Sequence, residues 1–128
     1  MLFLRFHFYT LLWAGIILLM SFYSGKDLPK VDFWQLLTFD KFMHMSCYML
    51  LFFITNVGIM KQYGYQIKKY RITGITFTTC FFYGILIEIL QPILTEERFF
   101  DFFDIFANTI GCVFGIFLYN FVYSKSLN

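Results

Sequence analysis

An all-α membrane protein, a bundle of four transmembrane helices, is the fold class predicted for this chain, and three observations predict it. Of the 128 residues, 59% are hydrophobic and 14% charged, with a mean hydropathy of +0.67. A soluble domain carries about 25% charged and about 45–50% apolar residues, and a chain this short has no core large enough to hide the surplus. The apolar residues gather into four runs, each near the ~20 residues a helix needs to cross the hydrocarbon. Twenty Phe and nine Tyr against two Pro suit helices packed in a bilayer.

The first run spans roughly residues 6–23, the second 42–60, the third 72–90 and the fourth 102–123. No repeat, low-complexity tract or long linker separates them, so residues 1–128 read as one domain. Arg5, an apolar run and Ser21/Ser24 also resemble a secretory signal peptide. The apolar part is long for such a segment and bulky Tyr23 adjoins the cleavage position, so the run is expected to stay as a helix. Cys47, Cys80 and Cys112 lie in different runs, with no C-x-x-C pair and no zinc-finger spacing. They read as small packing residues.

Lysine and arginine set the expected orientation. The connection between the second and third runs carries Lys61, Lys68, Lys69 and Arg71 and no acidic residue, so it is expected in the cytoplasm. Four crossings then put both termini there, in agreement with Arg5 and Lys125, and residues 24–41 and 91–101 outside. With a net charge of only +2, nothing suggests a nucleic-acid-binding protein, which would normally show a strong basic stripe.

In this topology the polar residues converge. Asp40, Lys41 and His44 lie where the second helix enters from outside, Glu88 and Gln91 where the third exits, and Arg98, Asp101, Asp104 and Asn108 where the fourth enters. The cytoplasmic ends offer only solvated lysines by comparison. Asp40, His44 and Tyr48 step by four and share one helix face. Asp101, Asp104, Asn108, Gly111 and Gly115 step by three and four, in one stripe of the fourth helix. Phe103, Phe106, Ile110, Phe114 and Phe117 form the face suited to lipid. Gly111 and Gly115 make a G-x-x-x-G, which lets a neighbouring backbone approach closely, here that of the second or third helix.

Ionisable groups within a membrane are costly and usually paired or functional. Glu88, with apolar neighbours on both sides in GILIEILQ, is the most telling. Two readings compete for the cluster: an interhelical polar network that holds the helices in register, and a binding or catalytic site. Asp40 reads equally as the N-cap of the second helix, Lys41 as a snorkelling side chain and Tyr48 as packing. Arg98 reads as an interfacial anchor or, through its planar fork, as a phosphate or carboxylate ligand. Asn108 needs a partner at that depth.

The series D-K-x-x-H-x-x-x-Y, E-x-x-Q-P and R-x-x-D-x-x-D-x-x-x-N-x-x-G-x-x-x-G resembles the VanZ-like membrane protein family. Here these are Asp40, Lys41, His44 and Tyr48; Glu88, Gln91 and Pro92; and Arg98, Asp101, Asp104, Asn108, Gly111 and Gly115. The resemblance covers about residues 40–119, and FFDFF after Arg98 is more aromatic than the family usually shows. It implies a bacterial protein of the cytoplasmic membrane. The family takes its name from an accessory of glycopeptide resistance, chiefly to teicoplanin. Broader comparisons group it with membrane proteins thought to act on lipid head groups or lipid-linked envelope precursors.

Within that resemblance, one expectation is an enzyme that cleaves or exchanges a phosphate-linked head group at the outer leaflet. Arg98 and Lys41 would hold the phosphate, His44 would serve as base or nucleophile, and Glu88 would orient or protonate it. Asp104 and Asn108 would position the attacking oxygen, with Asp40, Tyr48, Gln91 and Asp101 lining the substrate site. Asp101, Asp104 and Glu88 offer oxygen donors of the kind a divalent cation takes, but no motif is specific to a metal. The other expectation is a non-catalytic binder of an anionic lipid or glycopeptide. A transporter has little room in four helices without an inverted repeat, and the sequence leaves the oligomeric state open.

Overall fold

The computed structural model describes residues 1–22, 33–64, 66–96 and 99–123. It contains α1 (Leu2–Ser21), α2 (Phe33–Tyr63), α3 (Lys69–Leu94) and α4 (Phe102–Tyr123), with no strand among the described residues. All four are long and apolar enough to cross a membrane, α2 through its Phe39–Tyr63 part. The chain is a multi-pass membrane protein.

The helices overrun the apolar stretches where polar residues were expected to end them. The segment read as an outer loop over residues 24–41 is helical from Phe33 onward, so Asp40 lies two turns inside α2 and is not its N-cap. No Gly or Pro interrupts the sequence from Phe33 to Val57, and a helix satisfies its own backbone whatever its side chains. At the other end Lys61, Gln62 and Tyr63 continue α2 to Gly64. α3 starts three residues earlier than expected and runs past Pro92, which sits in its last turn. Proline has no N–H for the carbonyl four residues back, here that of Glu88, and the helix ends two residues later. α4 keeps the expected bounds. Its start is fixed by Asp101, whose Oδ1 accepts the Phe103 N–H at 2.9 Å in an N-cap arrangement.

α2 is the hub of the bundle, touching all three other helices and packing most extensively against α4. The G-x-x-x-G faces α2. A Cβ on Gly111 would lie 3.0 Å from Met45 Cα, and one on Gly115 2.8 Å from Phe52 Cβ, both well inside the ordinary carbon–carbon contact of about 3.5–4.0 Å. Only hydrogen at these positions permits the approach. Tyr48, Leu51 and Phe52 of α2 form the core with Cys80 and Ile87 of α3, Cys112 of α4 and Ile17 of α1. The three thiols are free, as packing residues should be. Phe103, Phe106, Ile110, Phe114 and Phe117 are exposed on the far side of α4, as expected of a lipid face.

Hydrogen bonds tie α1 into the bundle at several depths: Trp13 Nε1 donates to Cys47 O (3.0 Å), Tyr83 OH to Ala14 O (2.5 Å) and Gln91 Nε2 to Ser21 O (3.1 Å). These pairs, with the Lys69 ammonium over the Tyr119 ring, bring the start of α1, the end of α2, the start of α3 and the end of α4 to one end of the bundle. The basic connection therefore lies opposite the end where α2 and α4 begin. That basic end holds more than solvated lysines, contrary to the sequence reading. His7 is buried and its Nε2 lies 2.7 Å from Gln62 Oε1, while deeper in, Thr76 Oγ1 donates to Asn56 Oδ1 at 3.0 Å. An unsatisfied polar group in hydrocarbon costs several kcal/mol, which is why these side chains meet in pairs.

Candidate functional site

At the other end, α2, α3 and α4 bring their polar residues together. Asp101 and Asp104 flank the first turn of α4, and Lys41 of α2 reaches across to both. Its Nζ lies 2.6 Å from Asp101 Oδ2, closer still to Asp104 Oδ1, and 4.0 Å from Asp40 Oδ2. One turn deeper, His44 Nδ1 lies 2.9 Å from Asn108 Oδ1. That oxygen only accepts, so Nδ1 carries the proton. His44 Nε2 then faces two carboxylate oxygens, Asp40 Oδ1 at 3.8 Å and Asp104 Oδ2 at 3.7 Å. The Glu88 carboxyl of α3 completes the group. Its Oε2 accepts the Asp101 N–H at 3.4 Å, and Oε1 is buried with no hydrogen-bond partner among the described residues.

Exposure differs widely within the group. The side chains of Asp40 and Asp101 are 33% and 34% exposed, Lys41 20%, His44 13% and Asp104 6%, and Glu88 is completely buried. The group runs from partly exposed carboxylates, Asp40 and Asp101, to the completely buried Glu88. Outside the helix span, the Asp101 carboxyl is held below its ordinary value: partial burial pushes it up, but the hydrogen bonds from Lys41 and the Phe103 N–H, with the Lys41 charge, outweigh burial.

The structure thus joins Asp40, Lys41, His44, Glu88, Asp101, Asp104 and Asn108 into one group. Lys41 bonds inward and does not snorkel. Gln91 is buried, but its amide nitrogen is turned to Ser21 of α1. Tyr48 lies beside Asn108 over Gly84, where a Cβ would come within 3.3 Å of Tyr48 Cε1 and 3.0 Å of Asn108 Nδ2. The Tyr48 hydroxyl has no partner among the described residues. Arg98 lies outside the described residues. Gly84 was missed in the sequence, although its place one turn before Glu88 on the same face was a signal for it. The expected oxygen cage of Asp101, Asp104 and Glu88 also differs from the observed donors. Both Asp101 oxygens are bonded, to Lys41 and to the Phe103 N–H, whereas Asp40, His44 and Asp104 place one ligand atom each within 4.8 Å of one another.

Comparison with known proteins gives one match: the VanZ/LLP1 family model, over residues 6–123. No curated protein and no solved structure matches the chain.

Proposed function

The chain belongs to the VanZ/LLP1 family, and from that premise we propose that it acts on the phosphate-linked head group of a lipid or lipid-linked envelope precursor at the outer leaflet of the bacterial cytoplasmic membrane. The reading rests on one observation: an ammonium, an imidazole and a buried carboxyl supplied by two helices share one polar cluster at a bundle end, the level at which lipid head groups lie. In this orientation the basic α2–α3 connection is cytoplasmic.

Lys41 has three donors and uses two on Asp101 and Asp104, which leaves one for a phosphate oxygen. Arg98 keeps its sequence-based role as a second phosphate ligand. His44, its tautomer held by Asn108, offers the Nε2 lone pair to the proton of the attacking water or alcohol. As the new P–O bond forms, the bond to the leaving head-group alcohol breaks, and that alkoxide takes a proton from Glu88 in its neutral form. Removing a general acid or base typically costs about 10²–10⁴-fold in rate.

The test expresses wild type, His44→Ala and Glu88→Gln at matched levels and profiles membrane lipids and lipid-linked precursors. A species changed by wild type and untouched by both variants is expected; identical profiles would refute the enzyme. Susceptibility to teicoplanin in the same strains tests the link to glycopeptide resistance. The Lys41 bonds to Asp101 and Asp104 favour a second reading, a non-catalytic binder of an anionic lipid or glycopeptide whose polar cluster holds α2 to α4. That binder would protect in proportion to copy number and lose little through Glu88→Gln.

A further inference from the structure

We propose that Asp40, His44 and Asp104 form a binding site for one divalent first-row metal ion. The inference deepens the head-group reading, since such an ion would bind phosphoryl oxygens beside Lys41.

The argument starts from the tautomer. With the Nδ1 proton directed at Asn108 Oδ1, a neutral His44 ring turns its Nε2 lone pair toward Asp40 Oδ1 and Asp104 Oδ2, at 3.8 and 3.7 Å. These separations are too long for hydrogen bonds, and they set three electron-rich atoms around one point. The three ligand atoms lie within 4.8 Å of one another; an ion with bonds of about 2.0–2.2 Å holds neighbouring ligand atoms about 3–3.7 Å apart, so binding draws them inward by up to about 1 Å. A metal-ligating histidine almost always gives its other N–H to a carbonyl or carboxylate, the part Asn108 plays here.

Two further features support the site. Asp40 and Asp104 each divide their oxygens, Oδ2 of Asp40 and Oδ1 of Asp104 toward Lys41 and the other oxygen toward His44. Lysine and cation therefore do not compete for the same atoms. Independently, completely buried Glu88 lies within electrostatic range of Asp104 and Lys41, with Oε1 lacking a partner among the described residues. That oxygen keeps an unused acceptor, among the described residues, for water or a substrate hydroxyl. One imidazole with two carboxylates suits Mn²⁺ or Zn²⁺ better than Ca²⁺, which prefers an all-oxygen shell. With the ion bound, His44 is its ligand, and Glu88 takes the proton of the attacking water or alcohol and passes it to the leaving alkoxide.

The experiment uses the full chain purified in detergent, stripped with a chelator and titrated with MnCl₂, free Mn²⁺ being read by electron paramagnetic resonance. One Mn²⁺ per chain is expected, displaced by Zn²⁺, with a nitrogen modulation in the pulsed spectrum of the wild type that reports imidazole coordination. His44→Gln should remove the modulation and weaken binding by about tenfold or more, and Asp104→Asn should weaken it in a chain of unchanged helicity. Absence of stoichiometric binding by either metal, or bound Mn²⁺ without nitrogen coupling, would overturn the proposal. No lipid enters the titration, so this failure is separate from failure of the head-group reading, which the lipid profiles judge.

Discussion

Replacing Gly111 by alanine should damage the polar cluster through a methyl group that never enters it. The new Cβ would stand 3.0 Å from both Cα and C of Met45, against an ordinary contact of about 3.5–4.0 Å. Met45 backbone cannot swing aside, so α4 must withdraw from α2 by roughly 0.5–1 Å. Asn108 lies one turn before Gly111 and His44 next to Met45, so their 2.9 Å bond stretches beyond hydrogen-bonding distance. Overpacking costs about 1–3 kcal/mol and the lost bond about 1 kcal/mol. Alanine returns about 0.8–1.0 kcal/mol of helix propensity, which leaves a net loss of about 1–3 kcal/mol. Gly74→Ala is the control, because a Cβ there meets nothing within 4 Å; it should be neutral or slightly stabilising. Unfolding in mixed micelles measures both, and a double-mutant cycle with Asn108→Ala tests the coupling. Because either change already breaks the bond, the pair should fall short of additivity by about 1 kcal/mol. Gly111→Ala as stable as Gly74→Ala, or strict additivity with Asn108→Ala, would refute the reasoning.

Two further outcomes follow from the ion network. Lys41→Met should destabilise the bundle by about 3–5 kcal/mol, because it leaves Asp104 buried without its counter-charge; Asp104→Asn in the same chain should recover part of the loss in the same unfolding assay. Asp101 gives an acid-limb signature. Its folded carboxyl is held below the ordinary 3.8, so its contribution is fully present above that value and is lost as pH falls through the lower folded one. The stability gap between wild type and Asp101→Asn should therefore be constant from neutral pH to about 4 and close below it, which thermal unfolding against pH will show.

Hydropathy alone revealed the four crossings, because runs of about twenty predominantly apolar residues leave a chain few alternatives. Helical spacing revealed which polar residues would meet: the stripe from Asp101 to Gly115 faces α2 as its period required. The partners within the cluster were not legible. Whether Lys41 reaches inward or toward solvent depends on the fit of α2 against α4, a tertiary distance that no local pattern encodes. Gln91 was read with Glu88 because they are three residues apart, yet that spacing cannot say that Ser21 of α1 lies within reach. His7 drew no reading from the sequence, since its partner Gln62 is 55 positions away. The start of α2 was misplaced because polar side chains were taken for a boundary, whereas the backbone stops only where its own hydrogen bonding or chain geometry demands it.

The position of α2 at the hub bears on biosynthesis. During synthesis α2 emerges before α4, so Asp40, Lys41 and His44 wait in or near the bilayer while their counterparts are still in the ribosome. Until then Lys41 and His44 have Asp40 of the same helix near them, at 4.0 and 3.8 Å, but lack Asp101, Asp104 and Asn108. Arrival of the last helix supplies Asp101 and Asp104 to Lys41 and Asn108 to His44. A product cut short before α4 would keep an ionised, unassembled surface of the kind membrane proteases can recognise.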